Sequence, residues 1–130
     1  MKVSVITTCY NSESTILRTI DSVKNQTFSD IEHIIVDAAS TDNTLKLING
    51  NSEKISKIIS EPDNGIYEGI NKGINISSGD IIGILNSDDI YDNNEIISEI
   101  VNEFTYNSID FCYGDLAVFK PKNPNIVFRH

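Results

Sequence analysis

Strand-like and helix-like runs alternate from the first residues onward, and the alternation predicts an α/β protein. The expected architecture is a mostly parallel sheet with helices on both faces. Two further observations support it. The strand-like runs are short, apolar and rich in β-branched residues, as strands covered on both sides are. Polar clusters follow these runs, at the carboxyl ends where open parallel sheets hold ligands. Lys2-Val3-Ser4-Val5-Ile6-Thr7 reads as the first strand. Ile16, Ile20 and Val23 then recur at helical spacing, behind Asn11-Ser12, either of which suits a helix cap. Ile31 to Val36 reads as a buried strand. Ser40-Thr41-Asp42 signals a cap before the short face of Leu45 and Ile48. Ile55 to Ile59 reads as the third strand, and Glu61-Pro62-Asp63-Asn64-Gly65 as a turn. Ile66, Ile70 and Ile74 define a third helix, broken at Ser77-Ser78-Gly79-Asp80. Ile81 to Leu85 is the fourth strand. Ile96, Ile97, Ile100, Val101 and Phe104 form a fourth helical stripe. Ile109 to Tyr113 is expected to be a fifth strand, and Leu116–Phe119 and Ile126–Phe128 short edge strands split by the Pro121–Pro124 loop.

The chain has 130 residues, room for one domain over 1–130. Ten basic against 19 acidic residues give a net charge of −9. Such a chain has no general attraction for phosphate backbones, which argues against nucleic acid as a partner. An anionic ligand would need a cation or oriented N–H groups between it and the protein. No apolar run reaches the roughly 20 residues that span a bilayer, and the N-terminus reads as a strand rather than a leader, so a cytoplasmic location is expected. Cys9 and Cys112 lie far apart in apolar runs and are expected to be reduced core thiols.

Four strand ends deliver polar groups to one rim: Thr8-Cys9-Tyr10-Asn11, Asp37 to Asp42, Glu61 to Gly65, and Asn86-Ser87-Asp88-Asp89. The last supplies hard oxygen ligands suited to Mg²⁺ or Mn²⁺, which keep positions open for phosphate oxygens. Asp88 and Asp89 serve equally well as caps of the following helix. Asp37 ends a buried run, where a carboxylate can accept from the ring N3–H of uracil or thymine, or simply cap a turn. Thr8 and Tyr10 suit the lining of the same base pocket, and Tyr10 equally suits an ordinary half-buried aromatic position. Gly69 and Gly73 share a helix face and suggest close backbone packing, with close approach of a ligand as the alternative. Lys72 faces a phosphate or solvent. His33 reads as structural and His130 is terminal, so no zinc pattern arises. The chain carries no glycine-rich dinucleotide fingerprint, no P-loop and no nucleophile elbow. A signalling receiver domain fits the length and Asp37, but it needs an acidic pair after the first strand and a Lys after the fifth; Thr7-Thr8 and Gly114-Asp115 stand there.

The segments VSVITTCYN, EHIIVDAASTDNT and SEPDNGIYEGINKGINISSGDIIGILNSDD resemble the family 2 glycosyltransferases of GT-A fold, especially bacterial members that build capsule, O-antigen or exopolysaccharide. The resemblance runs from Lys2 to about Asp115. It implies a nucleotide-sugar site and transfer of a sugar, with inversion, from a UDP- or dTDP-sugar to a glycan or lipid-linked acceptor. By that likeness Thr8, Tyr10, Asn11 and Glu13 form the first nucleotide loop, and Asp37 reads the base. Asp63 and Gly65 lie beside ribose and sugar, and Asn71 and Lys72 face the diphosphate. Asn86-Ser87-Asp88 occupies the D-x-D motif, with Asp88 as metal ligand and Asp89 beside it. Departures from the pattern are Asn86 for the usual first Asp, Ala38-Ala39 for Asp-Gly, and Ile70 where many members carry Arg. Members usually continue well past the metal motif, into the acceptor site and the general base. Asp110 and Asp115 come too early to match that base. The chain is therefore expected to be the donor-binding half of such an enzyme, and a non-catalytic nucleotide-sugar-binding module is the alternative. Lipid-linked acceptors imply peripheral membrane contact, and an exposed sheet edge would favour a homodimer.

Overall fold

A computed structural model describes residues 1–120 and 123–129. Its main sheet holds four parallel strands: β1 (Val3–Cys9), β2 (Ile31–Asp37), β3 (Lys57–Ser60) and β4 (Ile81–Ile84), in the order β3-β2-β1-β4. Between them run α1 (Ile16–Lys24), α2 (Thr44–Asn49) and α3 (Ile66–Ile76), and α4 (Ile96–Asn107) follows β4. A 3₁₀ turn at Ser52–Lys54 precedes β3.

Side-chain alternation along the central strands sorts the core into two layers. Val3, Val5 and Cys9 of β1 and Ile35 of β2 face α1, α2 and α4, where they meet Ile16, Ile20, Val23, Ile48 and Ile97. Ile6, Ile34 and Val36 face the other way and pack with Ile59 and Ile76 beside α3. The two-sided cover explains why β1 and β2 carry apolar residues on both faces, with Ser4, Thr7, Glu32 and His33 buried among them. Gly73 lets α3 close on β1: a Cβ there would lie 2.5 Å from Ile6 Cγ2. The packing reading of the helix glycines is therefore correct.

The buried polar groups on the sheet are paired within it. Glu32, 4% exposed, accepts from Ser4 Oγ at 2.7 Å, from Ser78 N–H at 2.8 Å and from Ser78 Oγ at 3.0 Å, and it pairs with Lys57 at 2.7 Å. Burial opposes its ionisation. The donors from Lys57, Ser4 and Ser78 outweigh it and hold the carboxyl down at about 2. His33 is also buried and meets Thr7 Oγ1 through Nε2 at 3.0 Å, as a structural histidine would.

Three expectations differ from the structure. Residues 109–113 form no strand; Phe111 and Tyr113 are exposed, so their apolar run lacks a packed neighbour. Cys112 is exposed rather than a core thiol, whereas Cys9 is buried. The last two strands, β5 (Ala117–Lys120) and β6 (Asn123–Arg129), pair antiparallel with each other in a separate sheet instead of edging the main one. Pro124 lies within β6, while Pro121 and His130 fall outside the described residues.

Candidate functional site

The loops after the parallel strands enclose a cleft of about 820 Å³ at the carboxyl end of the sheet. Of the expected site residues, Thr8, Tyr10, Asn11, Asp63, Gly65, Asn86, Ser87 and Asp88 line it. So do Ser12, Thr15, Ala38 and Ile66, which sequence reasoning did not assign to the site.

Hydrogen bonds tie the loops into one rim. Asn11, at φ 49°, takes the left-handed conformation that Asn tolerates. Its Oδ1 accepts from the N–H groups of Thr41 at 2.9 Å and Asp42 at 3.3 Å, and its own N–H donates to Ser40 Oγ at 2.9 Å. Ser12 N–H donates to Thr44 Oγ1 at 2.7 Å, and Ser12 Oγ meets Ser87 Oγ at 2.9 Å. Glu13 accepts from Asn43 N–H at 2.9 Å, so it braces two loops rather than lining the cleft. Helix α1 starts at Ile16, later than Asn11-Ser12 suggested; Ser12 contributes its carbonyl, which accepts from Ile16 N–H at 2.9 Å. Asn43 rather than Ser40-Thr41-Asp42 is the N-cap of α2, but Asp42 just before it accepts from Thr44 N–H at 2.9 Å.

Asp88 is exposed in the cleft, and its carboxylate accepts no hydrogen bond among the described residues. Asp89 turns aside, half-buried, with Asn86 Nδ2 at 3.4 Å. Burial, then the charge of Asp88, raises the Asp89 carboxyl above its ordinary value. Neither caps α4, because α4 begins at Ile96 with Glu95 before it. Underneath, the fully buried Thr19 of α1 donates to the carbonyls of Ser87 at 2.9 Å and Asp89 at 2.8 Å. One hydroxyl thus clamps the backbone on both sides of Asp88. Among the described residues no group of three His, Cys, Asp or Glu forms a ready-made cation cage. A Mg²⁺-type ion needs none: one or two carboxylates suffice when phosphate oxygens and water complete the shell. The single unpartnered carboxylate of Asp88, with the Asn86 amide beside it, fits that pattern.

Two expected residues sit elsewhere. Asp37 is fully buried and does not line the cleft. Its oxygens accept from Ser40 N–H at 3.1 Å, from Ser60 Oγ at 2.7 Å and, by a short contact, from Ser40 Oγ; the Cys9 thiol lies at 3.7 Å. Burial and the charge of Asp37 push the Cys9 thiol far up, so it stays protonated as a weak donor. With its acceptor sites taken up from below, Asp37 anchors the loop and is not placed to read a base. Lys72 is held by Glu61 at 3.1 Å and Glu68 at 3.3 Å, and it donates to Pro62 O at 3.1 Å. Neither Lys72 nor Asn71 lines the cleft.

A parallel α/β sheet with a polar cleft at its carboxyl end, and a free carboxylate after β4, places the cleft where open α/β sheets hold their ligands. A family model, Glycosyl transferase family 2, matches residues 4–130, and the chain belongs to that family. A UDP-Glc:α-D-GlcNAc-diphosphoundecaprenol β-1,3-glucosyltransferase of Escherichia coli is 33% identical over 117 residues, 89% of this chain and 46% of that protein. The structure of Staphylococcus aureus TarS 1–349 in complex with UDP-GlcNAc superposes with a TM-score of 0.75 at 27% identity, over 81% of this chain and 31% of that one. The mannosyltransferase PcManGT of Pyrobaculum calidifontis, at 23% identity and a TM-score of 0.72, covers 77% of this chain and 31% of its own, and shares the fold. The fold is GT-A. The chain spans less than half the length of the curated relatives it matches, 38% and 46% in two of them.

Proposed function

We propose that the cleft holds a nucleoside diphosphate sugar together with a divalent cation, and that the protein takes part in sugar transfer to a glycan or lipid-linked acceptor in bacterial surface-polysaccharide synthesis. The observation that carries this reading is the unpartnered Asp88 carboxylate in the cleft, on a loop clamped from below by Thr19. An acidic protein holds a diphosphate poorly unless a cation stands between the two, and Mg²⁺ or Mn²⁺ bound at Asp88 would neutralise the departing diphosphate. Ser87 and Asn86 offer neutral polar groups alongside, and Thr8, Tyr10 and Asn11 border the space for the nucleoside. In the reaction proposed, an acceptor hydroxyl attacks the anomeric carbon opposite the diphosphate and gives up its proton to a general base. The bond to the diphosphate oxygen breaks, and configuration inverts. The glucosyltransferase relative acts on a diphosphoundecaprenol-linked sugar, and TarS was captured with UDP-GlcNAc; both support a uridine donor and a lipid-linked or polymeric acceptor. No described helix is long and apolar enough to cross a membrane, and the proposed meeting with a lipid-linked acceptor takes place at the cytoplasmic face.

Calorimetry with UDP and Mn²⁺ tests the site. The wild-type protein is expected to bind UDP in a Mn²⁺-dependent manner. Asp88→Ala should lose about tenfold or more of that affinity, the scale of one lost charge-assisted contact. Equal binding by the two proteins would refute the metal role. Slow UDP release from a UDP-sugar, dependent on Asp88, would mark retained chemistry rather than binding alone.

A further inference from the structure

Asp37 is buried beneath the cleft with its oxygens engaged, and the next residue, Ala38, brings only a methyl group to the cleft wall. The group that reads the base must then lie elsewhere. Asp63 and Asp88 are the two carboxylates lining the cleft among the described residues. Asp88 follows β4 and Asp63 follows β3, the two outer strands in the order β3-β2-β1-β4. Three strand spacings of about 4.8 Å separate those strands, roughly 14 Å in all. A nucleoside diphosphate likewise has two ends: a charged one that needs a cation and a base that offers hydrogen bonds.

Asp63 is built as a half-free acceptor. Its Oδ1 takes the Gly65 N–H at 3.0 Å, closing a turn where Gly65 adopts φ 126°. Its Oδ2 has no hydrogen-bond partner among the described residues. Above Gly69, Oδ2 and the Thr8 side chain converge: a Cβ placed on Gly69 would lie 3.2 Å from Asp63 Oδ2 and 3.0 Å from Thr8 Cγ2. The Thr8 hydroxyl is likewise without a partner among the described residues. One spare carboxylate oxygen, with the unpartnered Thr8 side chain close to it, suits an imide edge, which has a ring N–H to donate and a carbonyl to accept. With Oδ1 engaged, the two adjacent N–H donors of guanine are served less well.

We infer that Asp63 is the base-reading residue of this protein, with Oδ2 accepting the N3–H of a uracil or thymine base while Thr8 meets an adjacent carbonyl. The inference rests on the nucleotide-sugar reading of the cleft. Its test is a calorimetric titration of UDP, CDP and GDP in the presence of Mn²⁺, with wild type and Asp63→Asn. The substitution keeps the turn, since the amide oxygen can still accept from Gly65 N–H, and it turns an NH₂ toward the base. That NH₂ would oppose the uracil N3–H and favour cytosine, whose N3 is an acceptor. Wild type is expected to prefer UDP to CDP, and Asp63→Asn to weaken UDP by about tenfold or more and shift the UDP:CDP ratio toward CDP. Thermal denaturation of both proteins checks that the fold is intact. An unchanged UDP:CDP ratio in the variant, or a wild type that prefers GDP, overturns the inference. A wild type that binds no nucleoside diphosphate overturns instead the function on which it rests.

Discussion

Thr19 touches no ligand in the proposed site, yet Asp88 depends on it. Its single hydroxyl hydrogen is shared between carbonyls 68 and 70 residues away along the chain. Replacing Thr19 by Val keeps the shape and leaves both carbonyls, on half-buried residues, without that donor. The expected cost is about 1–2 kcal/mol of stability, read by denaturant unfolding. Mn²⁺-dependent UDP affinity should fall as well, and Thr19→Ser should restore both. Loss of stability with unchanged nucleotide affinity would show that the clamp does not position Asp88.

The elements are set by close contacts that a hydropathy pattern does not display. Helix α3 reaches β1 because Gly69 and Gly73 present no side chain to it. Gly73→Ala would place a methyl against Ile6 Cγ2, in a core with no room to yield. A loss of about 1–3 kcal/mol is expected, visible as a lower thermal midpoint, although Ala is the better helix former in isolation. A gain in stability would mean that α3 can slide away from the sheet. The segment at 109–113 shows the converse. It reads as a strand by composition, but a strand requires a neighbour to take its hydrogen bonds, and Phe111 and Tyr113 stand exposed.

At the scale of the whole molecule, acid should destabilise the fold in two stages. Burial lowers the His33 pKa to about 4, below the ordinary value of 6.5. A group depressed in the folded state stabilises above its unfolded pKa, so this contribution is full above pH 6.5 and is lost as pH falls from 6.5 toward 4. Glu32, held at about 2 against an ordinary 4.5, has the same sign, and its contribution is lost between pH 4.5 and 2. Thermal denaturation from pH 8 to pH 3 should show the midpoint falling below pH 6.5. His33→Gln should flatten the upper part of that fall and leave the lower part. A midpoint that rises on acidification would mean that relief of the −9 net charge outweighs both groups.

The strand-helix alternation, the apolar strands and the polar rim, with its carboxylates after β4, were legible in the residues alone; that Asp88 stands free rather than capping a helix was not. Each legible feature arises from a local period or from the order of types along the chain, which neighbours in sequence determine. Tertiary structure decided the rest. It took Asp37 out of the cleft by surrounding it with Ser40, Ser60 and Cys9, and it tied Lys72 to Glu61 and Glu68. It also recruited Thr19 and Glu13 as braces. A carboxylate at a strand end looks the same in sequence whether it faces a ligand or three donors beneath the sheet. Only the packing of distant segments settles which partners reach it.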